Sequence, residues 1–137
     1  MKNSFGNAIN ISLFGESHGA GVGVLIDGIA PGIKVDEDFI AHQLTLRRPK
    51  EKISTARREP DEYVIQSGVL CGYTTGAPLC IFIPNTDTRS RDYTPDLPRP
   101  SHADFTAREK YHGFEDYRGG GHFSGRITAA LVAAGAI

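Results

Sequence analysis

Residues 9–28, INISLFGESHGAGVGVLIDG, decide between two architectures. Within them Gly15, Glu16, Ser17, His18 and Gly19 fit the G-x-S-x-G pattern of a serine-hydrolase nucleophile elbow. An elbow needs a strand, a sharp turn and then a helix, so that the serine stands exposed at a helix N-terminus. Here the turn runs into AGVGVLIDG, whose glycines and β-branched residues favour a strand. Residues 9–14 and 22–26 are therefore expected as two strands around a glycine-rich turn, and Ser17 is not expected to be a nucleophile. The glycines also miss the nucleotide-binding patterns: no G-K-[ST] occurs, and Gly19, Gly21 and Gly23 are not spaced G-x-G-x-x-G. They either let a ligand approach the backbone closely or simply close a hairpin.

Downstream, Asp36 is suited to cap a helix over 37–47, with acids in the first turn, Ile40 and Leu44 on one face, and Arg47 and Arg48 at the end before Pro49. The polar, basic stretch over 50–61 reads as an exposed loop. EYVIQSGVL (62–70) and LCIFI (79–83) read as strands around the turn-like GYTTGAP, with Cys71 and Cys80 expected as small half-buried residues in strands. The segment PNTDTRSRDYTPDLPRPSH carries four prolines and three arginines, and a loop of that length inside a domain is usually functional or disordered. A short helix over 103–111, the loop GFEDYRGGGHF and an apolar C-terminal helix complete the order of strands and helices. That order argues for an α+β or layered α/β domain, not a βαβ series.

The 137 residues suit one domain, and the net charge of −1 argues against general polyanion binding, nucleic acid included. No apolar window is long enough for a membrane span, and MKNSFGNAIN lacks a signal core, which gives the expectation of a cytoplasmic protein. The cysteines show neither metal nor redox spacing, and no H-E-x-x-H occurs, so no metal is expected. SGRITAALVAAGAI carries its apolar pattern to Ile137 without a polar exit, which gives the expectation of a piece of a longer protein.

Three constellations remain. In YRGGGHFSGR, Gly119–Gly121 precede Ser124 as a helix cap, and successive N–H groups before a helix start suit an anion. Arg126 would then lie in the first helical turn, where a cation opposes the helix dipole unless an anion sits beside it. His18 and His102 lie among glycines and arginines, where neutral imidazoles able to exchange protons are favoured, whereas His42 and His112 lack such a setting and read as structural. Arg47 and Arg48 either complement the helix dipole or, with Arg57, Arg58 and Arg126, form a pocket for a small polyanion.

The stretches FGESHGAGVGVLIDGIAPGI, RRP, RREPDEYVIQSGVLCGYTTGAPLCIFIPNTDTRSRDY, RPSHADFT and YRGGGHFSGRITAALVAAGAI resemble, in order, the N-terminal part of the chorismate synthase family. The resemblance covers essentially the whole chain. It implies a carbon–oxygen lyase of the shikimate pathway, feeding aromatic amino-acid synthesis. The reaction is an anti-1,4 elimination of phosphate from 5-enolpyruvylshikimate 3-phosphate to give chorismate. It requires reduced FMN without net redox change, and NADPH is a candidate reductant. The implied fold is α+β, a layered β-α-β arrangement with helices packed between antiparallel or mixed sheets, in a homotetramer when full length. Residues 1–137 would be the N-terminal part of a single such domain and, on their own, inactive.

Residue by residue, the resemblance makes His18 the acid near the departing phosphate and His102 the histidine near the flavin. Ser17 matches a serine of the proton-relay and ligand network, and the segment His122, Phe123 and Ser124 matches flavin contacts. Arg47, Arg48 and Arg126 match arginines for substrate or nucleotide anions. Many members have glycine where this chain has Lys50 and Ser101, and arginine where it has His122. The alternative is a non-catalytic FMN- or anion-binding module. A serine hydrolase using Ser17 is the remaining rival and predicts labelling by a phosphonate probe.

Overall fold

A computed structural model describes residues 2–48, 59–88 and 93–137. Strands β1 (Ser4–Gly6), β2 (Asn10–Gly15) and β3 (Gly21–Asp27) are followed by helix α1 (Glu37–Arg47). Strands β4 (Val64–Ser67), β5 (Val69–Leu70), β6 (Tyr73–Thr74) and β7 (Leu79–Pro84) precede helices α2 (Asp104–Tyr111) and α3 (Thr128–Gly135). A five-stranded, wholly antiparallel sheet has the order β1-β2-β3-β7-β4, and β5 and β6 form a separate two-stranded sheet.

The strand expected after the glycine turn is β3. Its Val22, Val24 and Ile26, with Leu79, Ile81 and Ile83 of β7, are buried on one face, as a period of two requires. Helix α3 lies on that face and α1 packs beside it. Ala129, Ala130 and Ala133 let α3 come close, and Ile40 and Leu44 of α1 close the same core. The α+β class holds, and the described residues supply a sheet layer and a helical layer of the expected layering.

Helix α1 begins as the sequence indicates, with an Asp36 carboxylate oxygen accepting from the Phe39 N–H at 2.9 Å. Other boundaries differ. Strand β1 was not anticipated, because SFG is too short to show a period. The single strand expected over 62–70 is broken at Gly68, which sits at φ 86° and starts the turn into the small sheet. Tyr73 and Thr74, expected in a turn, pair with Leu70 and Val69. Cys80 is half-buried in β7 as expected, but Cys71 is exposed at φ 51° in the β5–β6 turn, where a strand was expected. At the described end of the stretch expected as exposed loop, Glu59 and Asp61 are buried. His112 closes α2 in the left-handed conformation, and His42 is exposed on α1.

Candidate functional site

The turn between β2 and β3 carries Ser17 and His18, and the loop 118–123 folds onto it. Ser17 is buried, and its N–H donates to the Gly121 carbonyl at 3.0 Å. His122 Nδ1 donates to the Gly15 carbonyl at 2.8 Å, which in a neutral ring makes Nε2 the acceptor. Gly119 to Gly121 adopt φ of 58°, 81° and 53°, the left-handed region that glycine enters at little cost. At Gly119 a side chain is also excluded by space: a Cβ there would lie 2.2 Å from the His18 ring and 2.9 Å from Ser17 Oγ. Thus His122, far from Ser17 and His18 in sequence, is brought beside the turn that carries them.

Ser124 caps as expected, its Oγ accepting from the Arg126 N–H at 3.2 Å, but it caps a single tight turn, Gly125–Ile127, ahead of α3. Arg126 is the informative residue. A cation there was reasoned to need an anion, and the anion is within the chain. Its guanidinium is buried and bonds Asp61, the Asn85 Oδ1 at 2.9 Å and the Pro84 carbonyl at 3.1 Å.

Asp61 gathers the other expected arginines as well. Arg47 donates to its carboxylate at 2.8 Å, and Arg48 Nε lies 3.9 Å away while Nη2 of the same side chain donates to the Pro60 carbonyl. Among the described residues, three guanidiniums surround this one fully buried carboxylate. Arg57 and Arg58, expected in the same cluster, lie outside the described residues, as does Lys50.

Asn85 joins the two halves of the site. Its Oδ1 accepts from Arg126, while its Nδ2 donates to the Glu16 and Gly19 carbonyls, each at 2.9 Å, on either side of His18. Its own N–H donates to the Ala20 carbonyl at 3.0 Å. Neither Asp61 nor Asn85 was singled out from the sequence. The only signal available was that several clustered arginines need a counter-charge inside the fold.

His102 is exposed just before α2, its N–H 3.3 Å from the Arg99 carbonyl. The preceding Ser101 sits at φ 64°, in the left-handed region that glycine enters at less cost than serine. Arg99 forks onto Asp104, Nε to Oδ2 at 2.8 Å and Nη2 to Oδ1 at 2.9 Å. That fork holds the Asp104 carboxyl down at about 2, against the opposing effect of burial. For Asp116, burial pushes the carboxyl up, yet hydrogen bonds from Arg118 bring it below its ordinary value. A cavity of about 140 Å³ opens here, lined in part by Tyr93, Pro98, Arg99, Asp104, Glu115 and Phe123. Among the described residues, no group of three His, Cys, Asp or Glu side chains is placed to hold a metal ion, and no helix is long and apolar enough to cross a membrane.

Fold and site together define an α+β protein with an arginine cluster tied to a histidine-bearing glycine turn, an arrangement suited to small anions. The family model for chorismate synthase matches residues 9–137. The chain therefore belongs to the chorismate synthase family. It is 52% identical over 132 residues to a chorismate synthase of Pyrococcus abyssi, covering 95% of this chain and 37% of that one. With a chorismate synthase of Chitinophaga pinensis it shares 54% identity over 137 residues, covering 98% of this chain and 41% of the relative. A crystal structure of chorismate synthase superposes with a TM-score of 0.63 at 30% identity, over 93% of this chain and 32% of the other. The chain thus spans about two-fifths of the length of these curated relatives.

Proposed function

We propose that this chain carries the phosphate-departure side of a chorismate synthase active site. The reaction is the anti-1,4 elimination of phosphate from 5-enolpyruvylshikimate 3-phosphate, yielding chorismate. The observation that carries this reading is the Asn85 bridge, which ties the arginine cluster around Asp61 to the turn bearing His18. A substrate with a phosphate and two carboxylates needs fixed positive charge, and a departing phosphate gains from a positioned proton donor.

In this reading Arg47 and Arg48 bind the anionic groups, with Arg126 as the buried anchor of that cluster. His18 holds the proton passed to the phosphate oxygen as the carbon–oxygen bond breaks. Ser17 is a hydrogen-bonding group of the relay, since it is buried in a turn that leads into a strand. His102 holds the proton exchanged with the cofactor.

The residues present fit one edge of a flavin. The cavity of about 140 Å³ falls short of the ~300 Å³ at the low end of small-molecule sites. Phe123, which lines that cavity, would hold this edge, and the family resemblance adds His122, Ser124 and Ser17, with Nε2 of His122 as an acceptor. When bound, reduced FMN supplies an electron transiently as phosphate leaves and assists removal of the hydrogen, without net redox change. NADPH as reductant, a homotetramer of the full-length protein and a cytoplasmic location carry over with the same reading.

The test is anaerobic assay of the 137-residue chain with substrate and photoreduced FMN, alone and with the remaining segment of the Chitinophaga pinensis relative added. Chorismate is expected only from the complemented mixture, and replacing His18 by Ala should abolish it. Robust turnover by the chain alone would overturn the half-site assignment. FMN binding without elimination in the complemented mixture would favour a non-catalytic module.

A further inference from the structure

We infer that Tyr93, backed by Arg99 and Asp104, is the positioning residue that fixes the ring of His18. The inference rests, for its catalytic consequence, on the reading of His18 as the proton donor. The rings of His18 and Tyr93 meet edge to face, their centroids 5.1 Å apart and their planes at 78°. This is the geometry that the quadrupole of an aromatic ring favours. Tyr93 is itself held, because the Arg99 guanidinium carbon lies 5.2 Å from the centroid of its ring.

Arg99 in turn is not free to swing. Both arms of its fork sit on the Asp104 carboxylate, and its backbone N–H donates to the same group at 3.0 Å. Asp104 opens helix α2, so the row runs from a rigid helix through arginine and tyrosine to the imidazole. Gly119 adds a second constraint, since its α-carbon packs so close to the ring that no side chain fits between them.

An imidazole that must deliver a proton to one atom needs its ring plane fixed. A misplacement of about 1 Å at a catalytic group costs on the order of 100-fold in rate. The row supplies that orientation through the face and edge of Tyr93, so a phenylalanine should serve nearly as well as the tyrosine and a leucine should not.

The experiment has two independent arms. In the chain itself, Tyr93→Leu should shift the His18 ring-proton resonances and remove their cross-peaks to residue 93, whereas Tyr93→Phe should keep the cross-peaks and nearly native shifts. Asp104→Asn should give an intermediate change. In the complemented enzyme, Tyr93→Leu should lower kcat by roughly 10- to 100-fold with KM changed by less than about 3-fold, and Tyr93→Phe should restore it. Unchanged His18 resonances in Tyr93→Leu would overturn the inference. Shifted resonances with undiminished kcat would support the positioning of the ring and count against His18 as the proton donor.

Discussion

Replacing Asp61 by Asn keeps the shape of the side chain and removes the one charge around which three arginines are arranged. The cost can be worked from their separate settings. Arg126 is 3% exposed against a carboxylate that is fully buried, and stripping the partner from such a pair costs about 3 kcal/mol or more. Arg47, at 2.8 Å and 19% exposed, adds about 1 kcal/mol. Arg48, at 3.9 Å and more than one-third exposed, adds close to nothing after solvent screening. The sum, about 4 kcal/mol, should lower Tm by roughly 12–20 °C for a chain of this size. Thermal melts followed by circular dichroism would measure it. A double-mutant cycle with Arg126→Gln should assign about 3 kcal/mol of the loss to coupling between the two residues. Inorganic phosphate gives an independent check on the sign, because the variant carries one more uncompensated positive charge and should gain more Tm from it than the parent chain does. A loss under about 1 kcal/mol, or two additive single substitutions, would refute the account of Asp61 as the counter-charge of the cluster.

Two further perturbations follow from the local geometry. Ser101→Gly should raise stability by about 0.5–1 kcal/mol in chemical denaturation. It relieves a left-handed backbone at φ 64° that costs an L-residue about 1–2 kcal/mol, less the entropy glycine brings to the unfolded chain. Asp104 predicts an acid-sensitive step, because its carboxyl titrates near 3.8 unfolded and at about 2 folded. Its contribution, about 1–2 kcal/mol after allowance for partial exposure, is complete above the unfolded value and lost as pH falls through the folded one. Denaturation measured from pH 5 to pH 2 should show this loss, and Asp104→Asn should remove that part of the pH dependence.

What the sequence disclosed, and what it withheld, divide along a physical line. The β2–β3 hairpin and α1 were legible because their signals are local: a run of β-branched residues, a capping aspartate, arginines at a helix end. Helix α3 was legible for the same reason. The break of the 62–70 strand at Gly68 was not, since a lone glycine in a strand pattern looks the same whether it bulges or turns. At the site, His18, Ser17 and the arginines were legible as residue types, and the resemblance to a family supplied their order.

The partners that hold them were not legible, because each acts across the fold. Asp61 sits in a polar, basic stretch that reads as solvated loop, yet it is buried because Arg126, 65 residues away, needs it. The cation in that first turn has an anion beside it, and Asp61 supplies that anion from within the chain. The consequence is chemical. Arg126 is bonded to Asp61, Asn85 and the Pro84 carbonyl, so in the proposed function it would act on a ligand mainly by fixing Arg47 and the His18 turn in place. Arg47 and Arg48, more exposed and less fully bonded, are then the arginines from which direct contact with an anion is to be expected. Neutralising either should weaken anion binding with a smaller loss of Tm than neutralising Arg126, and an equal loss of Tm in all three would contradict that division of labour.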